Sequence, residues 1–158
     1  MRYSPLYLVG RNTKKLQDLA AGFDKGYNIH ILSSEADAQK TLAKPEQMPT
    51  IAIGTIPGDS PIDPSMREIL CHVFAATAPP VSGVASAGNL DGTGRPPKVL
   101  LEMAYKPAVT SLMQLAANSG WKTVPGLEAL VGQGVWQFRL WTGIVPLVGV
   151  AREAVMGK

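Results

Sequence analysis

Between residues 98 and 143 the apolar positions alternate between strand-like runs and helical spacings, and polar residues stand where one gives way to the other. Val99-Leu100-Leu101-Glu102-Met103-Ala104-Tyr105 is a nearly continuous apolar run, which predicts a strand over 99–105 covered on both faces. Pro107, with no N–H to offer a ladder, closes it. Residues 110–118 carry Leu112, Leu115 and Ala116 at spacings of three and four, a helix for which Gly120 supplies the C-terminal stop. Trp121-Lys122-Thr123-Val124 predicts a short strand ended by Pro125-Gly126. From Leu127 onward Leu130, Val131, Val135, Phe138 and Trp141 fall on one helical stripe, interrupted by the small Gly134, that should face a core.

The first half alternates in the same way. Leu6-Tyr7-Leu8-Val9 predicts a strand, and Asn12 or Thr13 can cap a helix carrying Leu16, Leu19, Ala20 and Phe23. Asn28-Ile29-His30-Ile31-Leu32 predicts a second strand, Ser33-Ser34-Glu35 a helix start, and Thr50-Ile51-Ala52-Ile53-Gly54 a third strand. Asp63-Pro64 is a cap followed by a first-turn proline and opens a helix over 64–76. A closing helix is expected within 144–158, with Val148, Ala151, Ala154 and Val155 on its apolar side. Strands alternating with helices predict an α/β fold with a parallel sheet and right-handed crossovers.

Residues 78–97 break the rhythm. They are rich in Gly, Pro, Ser and Ala, have little to bury, and read as a flexible insertion. Their Gly92-Thr93-Gly94 is followed by Arg95-Pro96-Pro97, and prolines without donors cannot continue such a turn into a phosphate-binding helix. No G-x-G-x-x-G occurs in the chain.

Composition narrows the function classes. A chain of 158 residues, 46% hydrophobic and 17% charged, suits one globular domain. No apolar run is long enough to cross a membrane, and the N-terminus lacks the apolar core of a signal peptide, so a cytoplasmic protein is expected, nuclear if it regulates transcription. The net charge of +3 is scattered, without the stripe or aromatic interleaving that direct nucleic-acid contact would need. Cys71 is the single cysteine and sits within the apolar pattern of Met66, Ile69, Leu70, Val73 and Phe74, so a buried thiol is expected. His30 and His72 stand too far apart to suggest a metal site.

Two polar side chains stand out from the apolar scaffold. Tyr105 closes the expected strand at the end where parallel sheets hold their ligands. Gln133 lies seven residues, two helical turns, after Gly126. By pattern alone Tyr105 reads first as a half-buried aromatic with its hydroxyl in water, and Gln133 as an exposed helix residue.

EMAYKPAVTSL, then PGLEALVGQG, then QFRLWTG resembles the C-terminal part of the shikimate and quinate dehydrogenase family. That family shows an acidic residue, a Tyr two or three places on, a Pro, a Thr-x-Leu, a Gly before a helix and a Gln seven residues later. The wording is similar to that of the fungal forms, the last domain of the pentafunctional arom polypeptide and the related quinate repressor. The resemblance implies that Tyr105 and Gln133 contact a shikimate- or quinate-like ligand and that Gly126 lies near the nicotinamide of the family's cofactor, NADP. LVGRNTKK resembles the family's second nucleotide-domain strand and the turn after it. Gly10-Arg11-Asn12 stands for Asn-Arg-Thr, which implies that Arg11 would pair with an adenosine 2′-phosphate. By the same resemblance Asn12 adjoins that position, Lys15 falls near a second basic one, and Thr55 matches the Thr after the next nucleotide strand. Glu102 stands for the usual Asp.

In the family the Gly-rich turn and the catalytic Lys and Asp come before the resembling segment. The resemblance therefore implies a Rossmann-like parallel sheet with flanking helices, lacking its first strand and Gly-rich turn, as one partial nucleotide domain over 1–158. Hydride transfer needs a fixed nicotinamide and an acid/base group at the reacting oxygen. No catalytic residue is assigned here, and a chain non-catalytic alone is expected. The role implied is a quinate-repressor-like regulator sensing a shikimate- or quinate-like acid, partnered by a transcriptional activator or by the remainder of a longer polypeptide. The alternative is the C-terminal part of an arom-type, NADP-dependent shikimate dehydrogenase. Loss of a central strand would leave its neighbours to pair across the gap or to take a strand from elsewhere.

Overall fold

A computed structural model describes residues 5–44, 47–76 and 97–157, so the span 78–96 of the expected insertion lies outside the described residues. The described structure divides into two compact units. The first comprises Met1–Thr50 with Ile62–Pro97, the second Ile51–Pro61 with Lys98–Lys158.

In the first unit β1 (Leu6–Leu8), α1 (Thr13–Ala21), β2 (Ile29–Ile31), α2 (Glu35–Thr41) and α3 (Pro64–Ala75) follow in order. β1 and β2 pair in parallel, with Leu6 against Ile29, Tyr7 against His30 and Leu8 against Ile31. The Tyr7 ring stacks on His30 at 5.6 Å, and its hydroxyl donates to the Gln47 carbonyl at 2.5 Å. Partial burial of that phenol, which disfavours the phenolate, raises its pKa above the ordinary value. The core is Leu32, Ala38 and Leu42 around α2, and Met66, Ile69, Leu70, Val73 and Phe74 along α3. Cys71 is exposed, against expectation. The buried positions of α3 recur at three and four and define one stripe, and residue 71 falls off it. α1 buries none of its residues, and Phe23 lies beyond its end and is exposed.

In the second unit β3 (Ile51–Gly54), β4 (Val99–Glu102) and β5 (Lys122–Val124) form a parallel sheet in the order β3-β4-β5, flanked by α4 (Ser111–Asn118), α5 (Gly126–Thr142) and α6 (Val148–Met156). Ile51 faces Val99 across the first ladder, and Val99 faces Lys122 across the second. The α/β architecture of parallel strands with flanking helices is as the alternation predicts, its strands divided between a two-stranded and a three-stranded sheet. Leu100, Leu112, Met113, Leu115, Ala116, Trp121 and Val131 make the core.

Two expectations fail in this unit. β4 ends at Glu102, short of Tyr105. Met103 still donates to the Gly54 carbonyl at 2.9 Å, but the Ala104 N–H is taken by the Glu102 carboxylate at 3.1 Å, which turns the chain out of the sheet before Pro107 is reached. The α5 stripe also buries only in part: Val131 is buried, whereas Phe138 is 44% and Trp141 79% exposed. α5 ends at Gly143 in the left-handed region, and an ion pair from Arg152 to Glu128 ties α6 back to α5.

Candidate functional site

The second unit is organised around one buried carboxylate. Glu102 is fully buried, and its Oε1 accepts the N–H groups of Met103 at 2.9 Å and Ala104 at 3.1 Å. Its Oε2 accepts the Thr110 hydroxyl at 2.8 Å. Thr110 is buried too, and its oxygen accepts the Met113 N–H at 3.2 Å, so the residue that caps α4 also holds the end of β4. Three donors on one carboxylate satisfy a charge that would otherwise be costly to bury. The carboxylate closes the loop from residue 103 to 110, which carries Tyr105.

Two glycines let the backbone come close to this centre. A Cβ on Gly54 would lie 2.6 Å from a Leu112 methyl and 3.1 Å from each Glu102 oxygen. A Cβ on Gly126 would lie 2.4 Å from the Ala104 carbonyl oxygen. The first turn of α5 therefore sits directly on the backbone that precedes Tyr105.

In the first unit a cavity of about 210 Å³ opens where β1 and β2 end, the edge at which parallel sheets bind ligands. It is lined by Gly10, Arg11 and Thr13 after β1, Ser33 after β2, and Asp63, Ser65, Met66 and Ile69 at the start of α3. Asp63 Oδ1 takes every bond of the α3 cap, from the Ser65 N–H at 3.0 Å, the Ser65 hydroxyl at 2.5 Å and the Met66 N–H at 3.4 Å. The Ser65 hydroxyl, then the Met66 N–H, and last the Arg11 guanidinium hold the Asp63 carboxyl below its ordinary pKa. Ser33 gives its proton to Asp37 Oδ2 at 2.5 Å. The cavity thus offers one cation, one carboxylate, the Ser33 and Ser65 hydroxyls engaged by carboxylates, and the Thr13 hydroxyl.

The residues expected at the site fall into two groups, one in each unit. Arg11 lines the first-unit cavity. Asn12 caps α1, its Oδ1 accepting the Lys15 N–H at 3.0 Å, so its side chain serves the helix; the Lys15 side chain is exposed. Thr55 follows β3 and is exposed, Tyr105 is 45% exposed in the loop after β4, Gln133 is exposed on α5, and Gly126 is buried against Ala104. Gly126 and Tyr105 are brought together through the Ala104 carbonyl. In the sequence Asp63 shows only as a helix cap, with nothing to place it beside Arg11. The bond between Glu102 and Thr110 likewise has no signal in the sequence beyond the presence of both residues in one segment.

Comparison with known proteins gives this arrangement relatives. Residues 126–156 match the family described as Shikimate 5′-dehydrogenase C-terminal domain. Among solved structures, the dehydroquinate dehydratase and shikimate dehydrogenase from S. pombe AroM is 30% identical over 98% of this chain, with a TM-score of 0.77. Shikimate dehydrogenase from Mycobacterium tuberculosis is 19% identical over 97% of this chain, with a TM-score of 0.58. The enzyme from Thermus thermophilus, solved in complex with NADP(H) and shikimate, is 18% identical over 96% of this chain, with a TM-score of 0.54. The chain spans 26% of the S. pombe protein and 47% and 44% of the two bacterial ones. At residues 126–156 the chain thus matches the shikimate 5′-dehydrogenase C-terminal domain family, and its fold is the α/β, Rossmann-like fold of the shikimate dehydrogenases.

Proposed function

We propose that this chain is the nucleotide side of a shikimate-dehydrogenase-like domain of the arom type, which works as part of a longer polypeptide in the cytoplasm. The cavity at Arg11 takes the adenosine-ribose end of a nicotinamide dinucleotide. Tyr105 and Gln133 meet the ring or hydroxyls of a shikimate- or quinate-like acid, and Gly126 lets the nicotinamide approach. The observation that carries the reading is the cavity with a cation at the C-terminal ends of two parallel strands. The dinucleotide supplies hydride chemistry when bound, and this chain's residues bind and orient. Neither the general acid/base nor the backbone cradle for the diphosphate is assigned to this chain's residues.

A second reading, a regulator similar to the quinate repressor that senses the acid and acts through a protein partner, draws on one observation. Asn12, which stands for the family's Thr, spends its side-chain oxygen on capping α1, which takes it away from any ligand at this turn. Both readings expect the purified chain to show no NADP-dependent oxidation of shikimate or quinate. They also expect calorimetry to show ADP-ribose binding that weakens at least about tenfold in Arg11→Ala, as loss of a charge-assisted contact requires. Turnover that disappears in Gln133→Ala would contradict the non-catalytic assignment, and unchanged affinity in Arg11→Ala would contradict the cavity.

A further inference from the structure

The contents of the Arg11 cavity decide which adenosine it suits. A 2′-phosphate brings close to two negative charges and oxygens that mostly accept hydrogen bonds. Enclosing it calls for donors and cations. The first-unit cavity has Arg11, but Asp63 lines the same space and adds a like charge to any phosphate there. Of its three hydroxyls, Ser33 already donates to Asp37 and Ser65 to Asp63, while Thr13 adds a third beside Arg11. The N-terminus of α3, which could receive an anion, is occupied by Asp63 itself, and that of α1 by Asn12. A ribose diol has the opposite needs. Each hydroxyl both donates and accepts, so it can give a proton to a carboxylate and take one from a guanidinium. The Asp63 cap uses only Oδ1, which leaves Oδ2 outside the cap as an acceptor.

We propose that the cavity formed by Arg11, Thr13, Ser33, Asp63 and Ser65 recognises an unphosphorylated ribose 2′,3′-diol, and that Asp63 selects against a 2′-phosphate. The pocket then prefers an NAD-type to an NADP-type adenosine, and Asp63 is its specificity determinant. The inference rests on the cavity binding adenosine, as proposed above.

Calorimetry of the whole chain with ADP-ribose and with its 2′-phosphorylated form tests it, in the wild type, Asp63→Asn and Asp63→Ser. Both replacements keep a side chain able to cap α3, and a thermal melt confirms that each variant is folded. The wild type should bind ADP-ribose about tenfold more tightly than the 2′-phospho form, and both variants should shift that ratio about tenfold toward the phosphate by removing the like charge. Tighter binding of the 2′-phospho form by the wild type overturns the proposal. So does an unchanged ratio in both variants while the ligands still bind, a result that leaves the adenosine cavity standing. Failure of every form to bind either ligand overturns the cavity assignment and the proposal with it.

Discussion

Glu102 is the residue on which the second unit turns. Its carboxylate is fully buried and accepts three hydrogen bonds, so a truncation removes the acceptor and strands donors in the core. Glu102→Ala is expected to cost about 3 kcal/mol and Thr110→Val about 1–2 kcal/mol, because hydrogen bonds to charged groups exceed neutral ones. Urea unfolding of the two single variants and the double variant should show non-additivity, since both replacements break the same bond. Gly126→Ala should cost about 1–3 kcal/mol by forcing the Ala104 carbonyl away from α5. These roles were half legible in the sequence. An acid and a Thr eight residues apart are visible, but a loop that folds the second back onto the first is set by tertiary packing. Asp63 shows the same limit, because a helix cap and a residue that shares a cavity with a distant arginine look alike in one dimension.

The helices were the most legible elements, because their caps are local chemistry. Asn12, Ser34, Asp63 and Thr110 each sit where a short polar side chain precedes an apolar period, and each accepts the backbone N–H that the sequence calls for. The same caps make a pH prediction. Asp37 is held below its ordinary pKa of 3.8, chiefly by the Ser33 and Ser34 side chains, and Asp63 below the same value, chiefly by the Ser65 hydroxyl. A carboxylate whose pKa is lower in the folded chain stabilises it fully above the ordinary value, and that contribution is lost as pH falls through the folded value. Circular dichroism in an acid titration should therefore show α2 and α3 weakening below pH 3.8, and Asp63→Asn should flatten the part that comes from α3. A helical signal insensitive to acid would refute the assignment of these caps. Strand ends were less legible: the apolar run to Tyr105 promised three more residues of β4 than the carboxylate allows.

At the scale of the molecule, the alternation of periods identified the α/β class and the parallel pairing, whereas the division into two sheets answers to which strands find partners. Periodicity says that a face is apolar and leaves open what covers it. In the second unit Trp136, Leu140 and Trp141 of α5 and Ile144, Val145 and Leu147 after it are all exposed, and large apolar side chains exposed in succession are the kind of surface that favours association. Sedimentation of the purified chain should show concentration-dependent self-association, reduced in the Trp141→Glu, Leu147→Glu double variant. A monomer at all concentrations would mean that this surface needs no cover.

We expect the first unit to hold the adenosine-ribose end of a dinucleotide at the ends of β1 and β2. Mapping of amide shifts by nitrogen-15 NMR during titration with ADP-ribose tests it most directly. Changes are expected at Gly10, Arg11, Thr13, Ser33 and Ser65, and in Arg11→Ala the same changes should need at least about tenfold more ligand. Shifts that leave these amides untouched while residues elsewhere respond, or that saturate at the same ligand concentration in the variant, would show that the ribose end does not sit there.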